Sequence, residues 1–308
     1  MFHTLWCLAA QRKGMVIKMN LDGFEPKAKK LGVLGVKITQ HGKEIAYKTW
    51  DEECRRNVYS ASKSVTSCAV GFAVQEGLVS LSERLVDAFR EDLPETVGEY
   101  LEQATVRDLL TMCLGQGEAH LMGGQRPLYK EKDWVKLSLS LPFTHQPNTR
   151  FVYNNVGPYL AGVLVQRRCG CDLPSYLTPR LFSHLGITHP TWEIDPMGYT
   201  FGAGGLFFTL SELHTFGLFY LQNGVWNGKQ LLSPQWIQES TKKQVENRAY
   251  GYGYLFWGGE QGTFRADGKY GQLSILCRDK DAVISIVAEC RDTDSLNRAI
   301  FDELYPQL

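Results

Sequence analysis

The sequence lacks several features that would point to a polyanionic or membrane-bound partner. Lys plus Arg and Asp plus Glu each number 33, so the chain of 308 residues carries no formal net charge. A neutral chain has no overall field to attract nucleic acid or an anionic membrane. No stretch approaches the roughly 18 uninterrupted apolar residues that a membrane-spanning helix needs. We therefore expect a small, roughly neutral molecule as the partner, with no nucleic acid and no membrane bound, and leave the oligomeric state open.

The first residues also lack the pattern of a secretory signal. Their short apolar run is followed by Arg12 and Lys13, whereas a signal carries its basic residues first and has a longer apolar region. We expect residues 1–30 to form an N-terminal extension, irregular before Met15 or Met19, and leave the translation start open.

Cysteines are present, but without the spacing of a disulfide framework or a metal site. The eight residues are scattered through apolar stretches, which predicts reduced, buried thiols in a cytoplasmic protein. Cys169 and Cys171 form a close pair, and without a second Cys or His pair at ligand spacing we predict no metal site. The sequence also lacks H-E-x-x-H, G-x-S-x-G and P-loop motifs, and we predict no cofactor.

Strand patterns are found toward both ends of the chain. Residues 31–50 contain two apolar, β-branched runs on either side of Gly42, which is typical of a hairpin. An amphipathic helix is predicted over residues 295–305. Further strand-like runs cover residues 252–257, 262–266, 272–277 and 282–290.

Helical patterns dominate the middle of the chain. Val65, Cys68 and Phe72 follow a helical spacing after Ser60, and Gly77 is placed to end this helix. Other helices are predicted from a residue that caps or opens the first turn. These residues are Thr105, Pro158 and Thr209 with Glu212.

The order of these elements indicates an α/β (α+β) fold. An antiparallel sheet flanked by helices would be formed from both chain ends and would carry an inserted helical domain. We expect residues 31–85 and 200–308 to form the sheet-containing lobe and residues 86–199 to form the helical lobe. A cleft between the lobes is the expected place for a small-molecule site.

The pattern with the most chemical content is S-x-x-K, which runs from Ser60 to Lys63 at the start of a predicted helix. A spacing of three places both side chains on the same helical face. A lysine whose pKa is lowered by burial or by neighbouring cations can take the serine proton as a neutral amine. The same pattern occurs from Ser240 to Lys243 in a polar, surface-like stretch. Context rather than the pattern itself therefore favours Ser60.

A Y-x-N triplet before another helix supplies a second set of polar groups. On an extended chain, Tyr153 and Asn155 present a phenol and a carboxamide on the same side. The phenol can relay a proton to a leaving group, and the amide can orient both the lysine and a substrate. By itself, a tyrosine beside an apolar helix is more often a packed residue, so this interpretation depends on Ser60 and Lys63.

Five segments of the chain, in order, resemble the serine β-lactamase-like, penicillin-recognising family. Its members include class C β-lactamases, D-alanyl-D-alanine peptidases, carboxylesterases and 6-aminohexanoate-dimer hydrolases. The resemblance covers residue 30 to the end and implies a β-lactamase/transpeptidase-like fold. The segments are YSASKSVT, TVRDLLTM, PNTRFVYNN, AGGLFFTLSELHTFGLFYLQNG and RADGKYGQ.

The resemblance also implies a role for particular residues. Ser60 would be the acylated nucleophile, with Lys63 as its activating partner, Tyr153 as a further catalytic residue and Asn155 as a substrate-binding residue. The oxyanion hole would consist of the backbone N–H groups of Ser60 and Lys269. The third motif of the family falls on the substrate-binding positions Ala266, Asp267 and Gly268.

This third motif departs from the β-lactamase and peptidase pattern. Ala266 cannot supply the cation that those enzymes place beside a substrate carboxylate, and Asp267 would oppose one. Arg265 should point to the opposite face of the strand from Ala266. Lys269 is a remaining source of positive charge. The segment from Ala266 to Gln272 is more similar to the esterase and aminohexanoate-dimer hydrolase branch.

The sequence therefore predicts a serine hydrolase that acts through a covalent acyl-enzyme on a small ester or amide. Two alternatives are open. One is a true β-lactamase or D-alanyl-D-alanine carboxypeptidase, and the other is a non-catalytic binding protein on the same fold.

Overall fold

The structure is a computed structural model that describes residues 18–247 and 249–308. The predictions on the secretory signal and on Cys7 lie outside these residues. The α-helices run over Phe24–Lys30 (α1), Ser62–Gln75 (α2), Leu85–Ala88 (α3), Glu99–Gln103 (α4), Val106–Thr111 (α5), Trp134–Ser140 (α6), Val156–Cys169 (α7), Leu173–Leu177 (α8), Leu210–Leu221 (α9), Pro234–Ser240 (α10) and Thr293–Glu303 (α11). The strands run over Val33–Gln40 (β1), Lys43–Thr49 (β2), Arg56–Asn57 (β3), Phe207–Phe208 (β4), Val225–Trp226 (β5), Lys229–Gln230 (β6), Trp257–Gly258 (β7), Phe264–Gly268 (β8), Gln272–Cys277 (β9) and Ala282–Ala288 (β10).

The main sheet joins the two ends of the chain. Its six strands lie in the order β2-β1-β10-β9-β8-β7, and all neighbours are antiparallel. Strand β1 pairs directly with β10, with Val36 opposite Ile286. Strands β9 and β10 are buried along their whole length, because α9 covers one face of the sheet while α1 and α11 pack on the other. The predicted fold class is confirmed.

Helix α2 carries the S-x-x-K segment through the middle of the molecule. It is buried from Ser62 to Ala73, with α7 packed against it. Gly71 permits a close approach of Trp236, because a Cβ atom at this position would lie 2.4 Å from the indole Nε1. The helix ends at Gln75, and Gly77 follows with a φ of +73°, a conformation that glycine adopts without strain.

One local prediction is wrong. The predicted strand 252–257 is a strand only at its end, because Leu255 has a φ of +61° and its backbone bonds elsewhere: its N–H donates to Leu110 and its carbonyl accepts from the Ser64 hydroxyl. The extension 1–30 stays a prediction, and within it Phe24–Lys30 form helix α1. Its buried Phe24 lies in the apolar cluster that also holds residues of α11.

The predicted division into two lobes stays a prediction. Helices α4 to α8 fall within residues 86–199, and the strands of the main sheet lie outside that range. One hydrophobic cluster nevertheless contains residues of α2, α5, α7 and α9, and so runs across the proposed boundaries.

The seven cysteines in the described residues are free thiols, but not all are buried as predicted. Cys54 and Cys171 are exposed and Cys169 is half-buried. The buried ones are Cys68, Cys113, Cys277 and Cys290. No helix within residues 18–247 or 249–308 has the length and apolar content needed to cross a bilayer.

Candidate active site

Ser60 lies in a 3₁₀ turn, Tyr59–Ala61, that leads directly into α2. Lys63 follows one turn later, and its Nζ lies 3.0 Å from the Ser60 Oγ. The serine is partly exposed, whereas the lysine is 1% exposed. The turn therefore presents a reachable hydroxyl whose neighbour is an amine shielded from water.

Two fixed acceptors hold the Lys63 amine. Its Nζ donates to the Asn155 Oδ1 at 2.7 Å and to the Ala203 carbonyl at 2.7 Å. The orientation of the Asn155 amide is set by its Nδ2, which donates to the Leu121 carbonyl at 2.9 Å. Because Oδ1 and a carbonyl oxygen can only accept, the lysine must donate to both.

This arrangement determines what the lysine can do when it is neutral. A neutral amine has two N–H donors and one lone pair. With Asn155 and Ala203 taking the two donors, the lone pair is left for the third neighbour, the Ser60 hydroxyl. The geometry therefore suits Lys63 to accept the proton of Ser60.

Burial also favours the neutral amine. It lowers the pKa of Lys63 to about 7, and the positive charge of Arg126 adds to this effect. Arg126 lies over the Phe201 ring, 4.4 Å from its centroid, and pairs with Glu193 at 3.1 Å. Burial and the charge of Arg126 thus both favour the unprotonated amine.

Tyr153 lies beside the lysine. Its ring centroid is 5.1 Å from the Lys63 Nζ, and its ring packs on Trp257 at 5.2 Å. Burial raises the pKa of Tyr153 above its ordinary value, and hydrogen bonding to Ser60 opposes part of that rise. The phenol therefore stays protonated at neutral pH beside the Ser60 hydroxyl, as a proton relay requires.

The backbone just before the nucleophile is strained. Tyr59 has a φ of +47°, which is rare for a bulky residue. Its N–H donates to the Asn57 Oδ1 at 2.7 Å, and its carbonyl accepts from the Ser62 hydroxyl at 2.6 Å. The Ser62 hydroxyl in turn accepts from the Leu206 N–H at 3.1 Å. These hydrogen bonds hold the turn that places Ser60 just before the N-terminus of α2.

The third motif lies on β8, opposite this turn. Gly268 is required for the close approach of the two segments, because a Cβ atom there would lie 2.1 Å from the Val58 carbonyl oxygen. Tyr270, two residues later, packs edge-on against Tyr59 with a centroid distance of 5.3 Å. Ser60 and Lys269 are thus on facing segments, and their pairing as oxyanion donors stays a prediction.

Asp267 on β8 is paired with a neighbouring cation, which the sequence analysis did not expect. Ala266 is buried, while Arg265 and Asp267 share the opposite face of the strand. The Arg265 Nε donates to the Asp267 Oδ2 at 2.7 Å, and its Nη1 donates to the Gly258 carbonyl at 3.1 Å. The Asp267 carboxylate is therefore compensated by its own strand, and the repulsion of an anionic substrate expected from it is reduced.

The second S-x-x-K segment is built differently. Ser240 is fully buried at the end of α10, so the expectation of a surface position is wrong for this residue. Its hydroxyl donates to the Ile237 carbonyl at 3.2 Å. Lys243 pairs with Glu246 at 2.6 Å. The serine and lysine of this segment have separate partners.

Sequence reasoning did not find two residues of this site. These are Ala203, whose carbonyl holds Lys63, and Arg126, whose charge lowers the pKa of Lys63. Ala203 is fixed by its loop, where the Thr66 hydroxyl donates to the Gly202 carbonyl at 2.7 Å. In the sequence, Gly202, Gly204 and Gly205 around Ala203 indicate a tight loop, and this was the signal that could have identified the residue.

Comparisons with known proteins agree with the fold described above. The model of the family described as Beta-lactamase matches residues 22–304. No curated protein sequence matches significantly. Among solved structures, the "Putative 6-aminohexanoate-dimer hydrolase from Bacillus anthracis" is similar with a TM-score of 0.78 and 18% identity, over 94% of this chain and 87% of the other.

Two further structures show the same fold. A penicillin-binding protein from Bacillus halodurans has a TM-score of 0.72 and 16% identity, over 90% of this chain and 99% of the other. A β-lactamase from Mycobacterium bovis has a TM-score of 0.66 and 19% identity, over 91% of this chain and 98% of the other. At these identities the likeness concerns the fold.

Proposed function

The chain belongs to the β-lactamase family, and on that premise we propose that it is a serine hydrolase that acts through a covalent acyl-enzyme on a small, uncharged ester or amide. The observation that carries the proposal is the buried Lys63 amine, 3.0 Å from the Ser60 hydroxyl and held by two acceptors. A buried lysine whose third neighbour is a partly exposed serine is the arrangement that a lysine-activated nucleophile requires.

The proposed reaction has two stages. Ser60 attacks the substrate carbonyl while its proton passes to Lys63, and the N-terminal end of α2 favours the developing negative charge. Tyr153 gives a proton to the leaving group as the carbonyl re-forms, and protonated Lys63 returns a proton to Tyr153. Water then attacks the acyl-enzyme and gives one proton to these groups, and Ser60 takes that proton back as the acid is released.

The substrate class follows from the charges on β8. Ala266 offers no cation to a substrate carboxylate, and Arg265 already pairs with Asp267. A charge-assisted hydrogen bond to a carboxylate contributes about 1.5 to 3 kcal/mol, so its loss lowers affinity by roughly one to two powers of ten. Uncharged esters and amides do not need this bond.

Paired substrates test this proposal. We expect kcat/KM for p-nitrophenyl acetate or butyrate to exceed that for nitrocefin, a β-lactam with a carboxylate. The double substitution Ala266→Lys and Asp267→Thr should shift the ratio toward nitrocefin by roughly one to two powers of ten. Efficient turnover of nitrocefin by the wild-type protein would contradict the proposal.

One observation favours the β-lactamase or peptidase alternative. Lys269 is exposed, and its ammonium lies 4.7 Å from the centroid of Tyr270, which packs against Tyr59 beside the nucleophile. Lys269→Ala should leave the substrate ratio nearly unchanged if only the backbone of this residue acts. A large loss confined to carboxylate-bearing substrates would show that Lys269 supplies the missing cation.

The proposal includes a cytoplasmic location, which the unpatterned cysteines support. Cell fractionation tests it directly. Recovery of the protein from an extracytoplasmic fraction would contradict this part of the proposal and would favour a role on the cell wall.

A further inference from the structure

A pair of thiols lies at the C-terminal end of α7, away from the site described above. Cys169 is the last residue of the helix, and Gly170 follows with a φ of +73°. This left-handed residue turns the chain back over the last helical turn, where the Gly170 N–H donates to the Gln166 carbonyl at 2.9 Å. As a result the Sγ atoms of Cys169 and Cys171 are 3.5 Å apart.

The distance between the two sulfur atoms is longer than a disulfide bond, but only slightly. A disulfide needs about 2.05 Å between the sulfur atoms, so the two side chains must approach by roughly 1.5 Å. Cys171 is exposed and Cys169 is half-buried, so a small reagent can reach the pair. The surrounding backbone already has the reversal that brings the two residues together.

The other described cysteines lack this combination. Cys54 is exposed, and among the described cysteines the thiol contact is between Cys169 and Cys171. Burial raises the pKa of Cys113 to about 11 and that of Cys277 to about 12, which disfavours the reactive thiolate. Cys68 and Cys290 are also buried, and burial raises the pKa of each.

The groups around the pair suit unequal roles for the two sulfurs. Desolvation and hydrogen bonding to Cys169 raise the pKa of Cys171 to about 11, while Arg180 acts in the opposite direction. Asp172 adds to the rise. The raised pKa keeps Cys171 in the thiol form, so we assign the first attack to the Cys169 sulfur, which donates to the Gln166 and Cys171 carbonyls in the resting pair. Once Cys169 forms a mixed disulfide, it no longer raises the pKa of Cys171.

We propose that Cys169 and Cys171 form a redox-active thiol pair that reduces low-molecular-weight disulfides of the glutathione type and is oxidised to an intrachain disulfide. The Cys169 thiolate attacks one sulfur of the external disulfide, forms a mixed disulfide and expels the first small thiolate. The Cys171 thiolate then attacks the Cys169 sulfur and expels the second. Two S–H bonds are lost from the protein, one S–S bond forms, and the two protons are taken up by the two released thiolates.

The test uses the full chain, reduced and freed of reductant, then exposed to oxidised glutathione without any ester present. Peptide mapping by mass spectrometry should show a loss of two hydrogen atoms from the segment with Cys169 and Cys171, and no lasting glutathione adduct there. In Cys171→Ser, a glutathione adduct should persist on Cys169 at a level at least about tenfold above wild type, because the fast intramolecular second step is absent.

Matched variants make the result specific to the pair. Cys54→Ser should leave disulfide formation at the pair unchanged, since Cys54 is exposed but separate. The proposal is overturned if the wild-type protein keeps a stable adduct on Cys169 or Cys171 as the Cys171→Ser variant does. It is equally overturned if Cys54 reacts while both pair thiols stay unmodified.

Discussion

Two segments of this chain share the pattern S-x-x-K, and they differ in almost every physical respect. In the first, Lys63 is buried and its amine contacts Ser60 at 3.0 Å. In the second, the Lys243 side chain is 52% exposed and pairs with Glu246, while the Ser240 hydroxyl bonds to its own helix. The pattern alone therefore says little about chemistry.

The difference arises from where each serine lies on its helix. Ser60 precedes α2, so Lys63 is one turn further along the same helix and on the same face. Ser240 is the last residue of α10, and the three residues that follow it leave the helical path. A spacing of three brings side chains together only while the chain stays helical.

The largest effect is expected when each of the two lysines is replaced in turn. Lys63→Ala should lower kcat by about 10² or more, because a general base typically contributes roughly 10² to 10⁴. Lys243→Ala should leave kcat near the wild-type value, since its amine is paired at the surface. Steady-state kinetics on p-nitrophenyl butyrate measures both, with thermal unfolding as the check on folding. Equal losses of kcat in the two variants would contradict the different roles assigned to the two lysines.

The next test concerns the Tyr153 phenol beside Ser60. Tyr153→Phe should lower kcat by about 10², and by less than Lys63→Ala, because the ring keeps its packing on Trp257 while the proton relay is lost. Tyr252→Phe is the matched control, as Tyr252 also packs on Trp257, at 5.0 Å. A turnover near wild type in Tyr153→Phe would exclude the phenol from the mechanism.

A smaller effect is expected from the charge beside Lys63. The rate should rise with pH through about 7 as Lys63 loses its proton, since the amine is the active form. Arg126→Gln removes a cation that lowers the pKa of Lys63, so the rising limb of kcat/KM should move to higher pH. Arg107→Gln, a change on the exposed surface by Tyr254, should not move it. A limb that stays in place in Arg126→Gln would leave burial as the sole cause of the shift.

Local patterns predict most of the elements that position this site. The hairpin of β1 and β2, the start of α2 just after Ser60 and the capping box of α9 each depend on residues close together in sequence. Thr209 and Glu212, for example, satisfy each other's backbone N–H groups three residues apart. Such contacts are visible without knowledge of the fold.

The residues that sequence reasoning missed act over long separations. Ala203 meets Lys63 across 140 positions through a carbonyl, a group that every residue has. The influence of Arg126 on Lys63 depends on the loop that brings the two charges near each other. Leu255 takes a left-handed conformation in a segment with a strand-like composition, because its backbone bonds to α2 and to α5. Tertiary contacts override local preference at these positions.

The most direct test of the central claim is to locate the activated serine. A fluorophosphonate probe should add covalently to the folded protein, and peptide mapping should place the adduct on Ser60, because a serine with an adjacent neutral amine is more nucleophilic than a free hydroxyl. The adduct should be lost in Ser60→Ala and kept in Ser240→Ala. Labelling at Ser240 would contradict the account, and the absence of labelling in correctly folded protein would favour a non-catalytic binding protein instead.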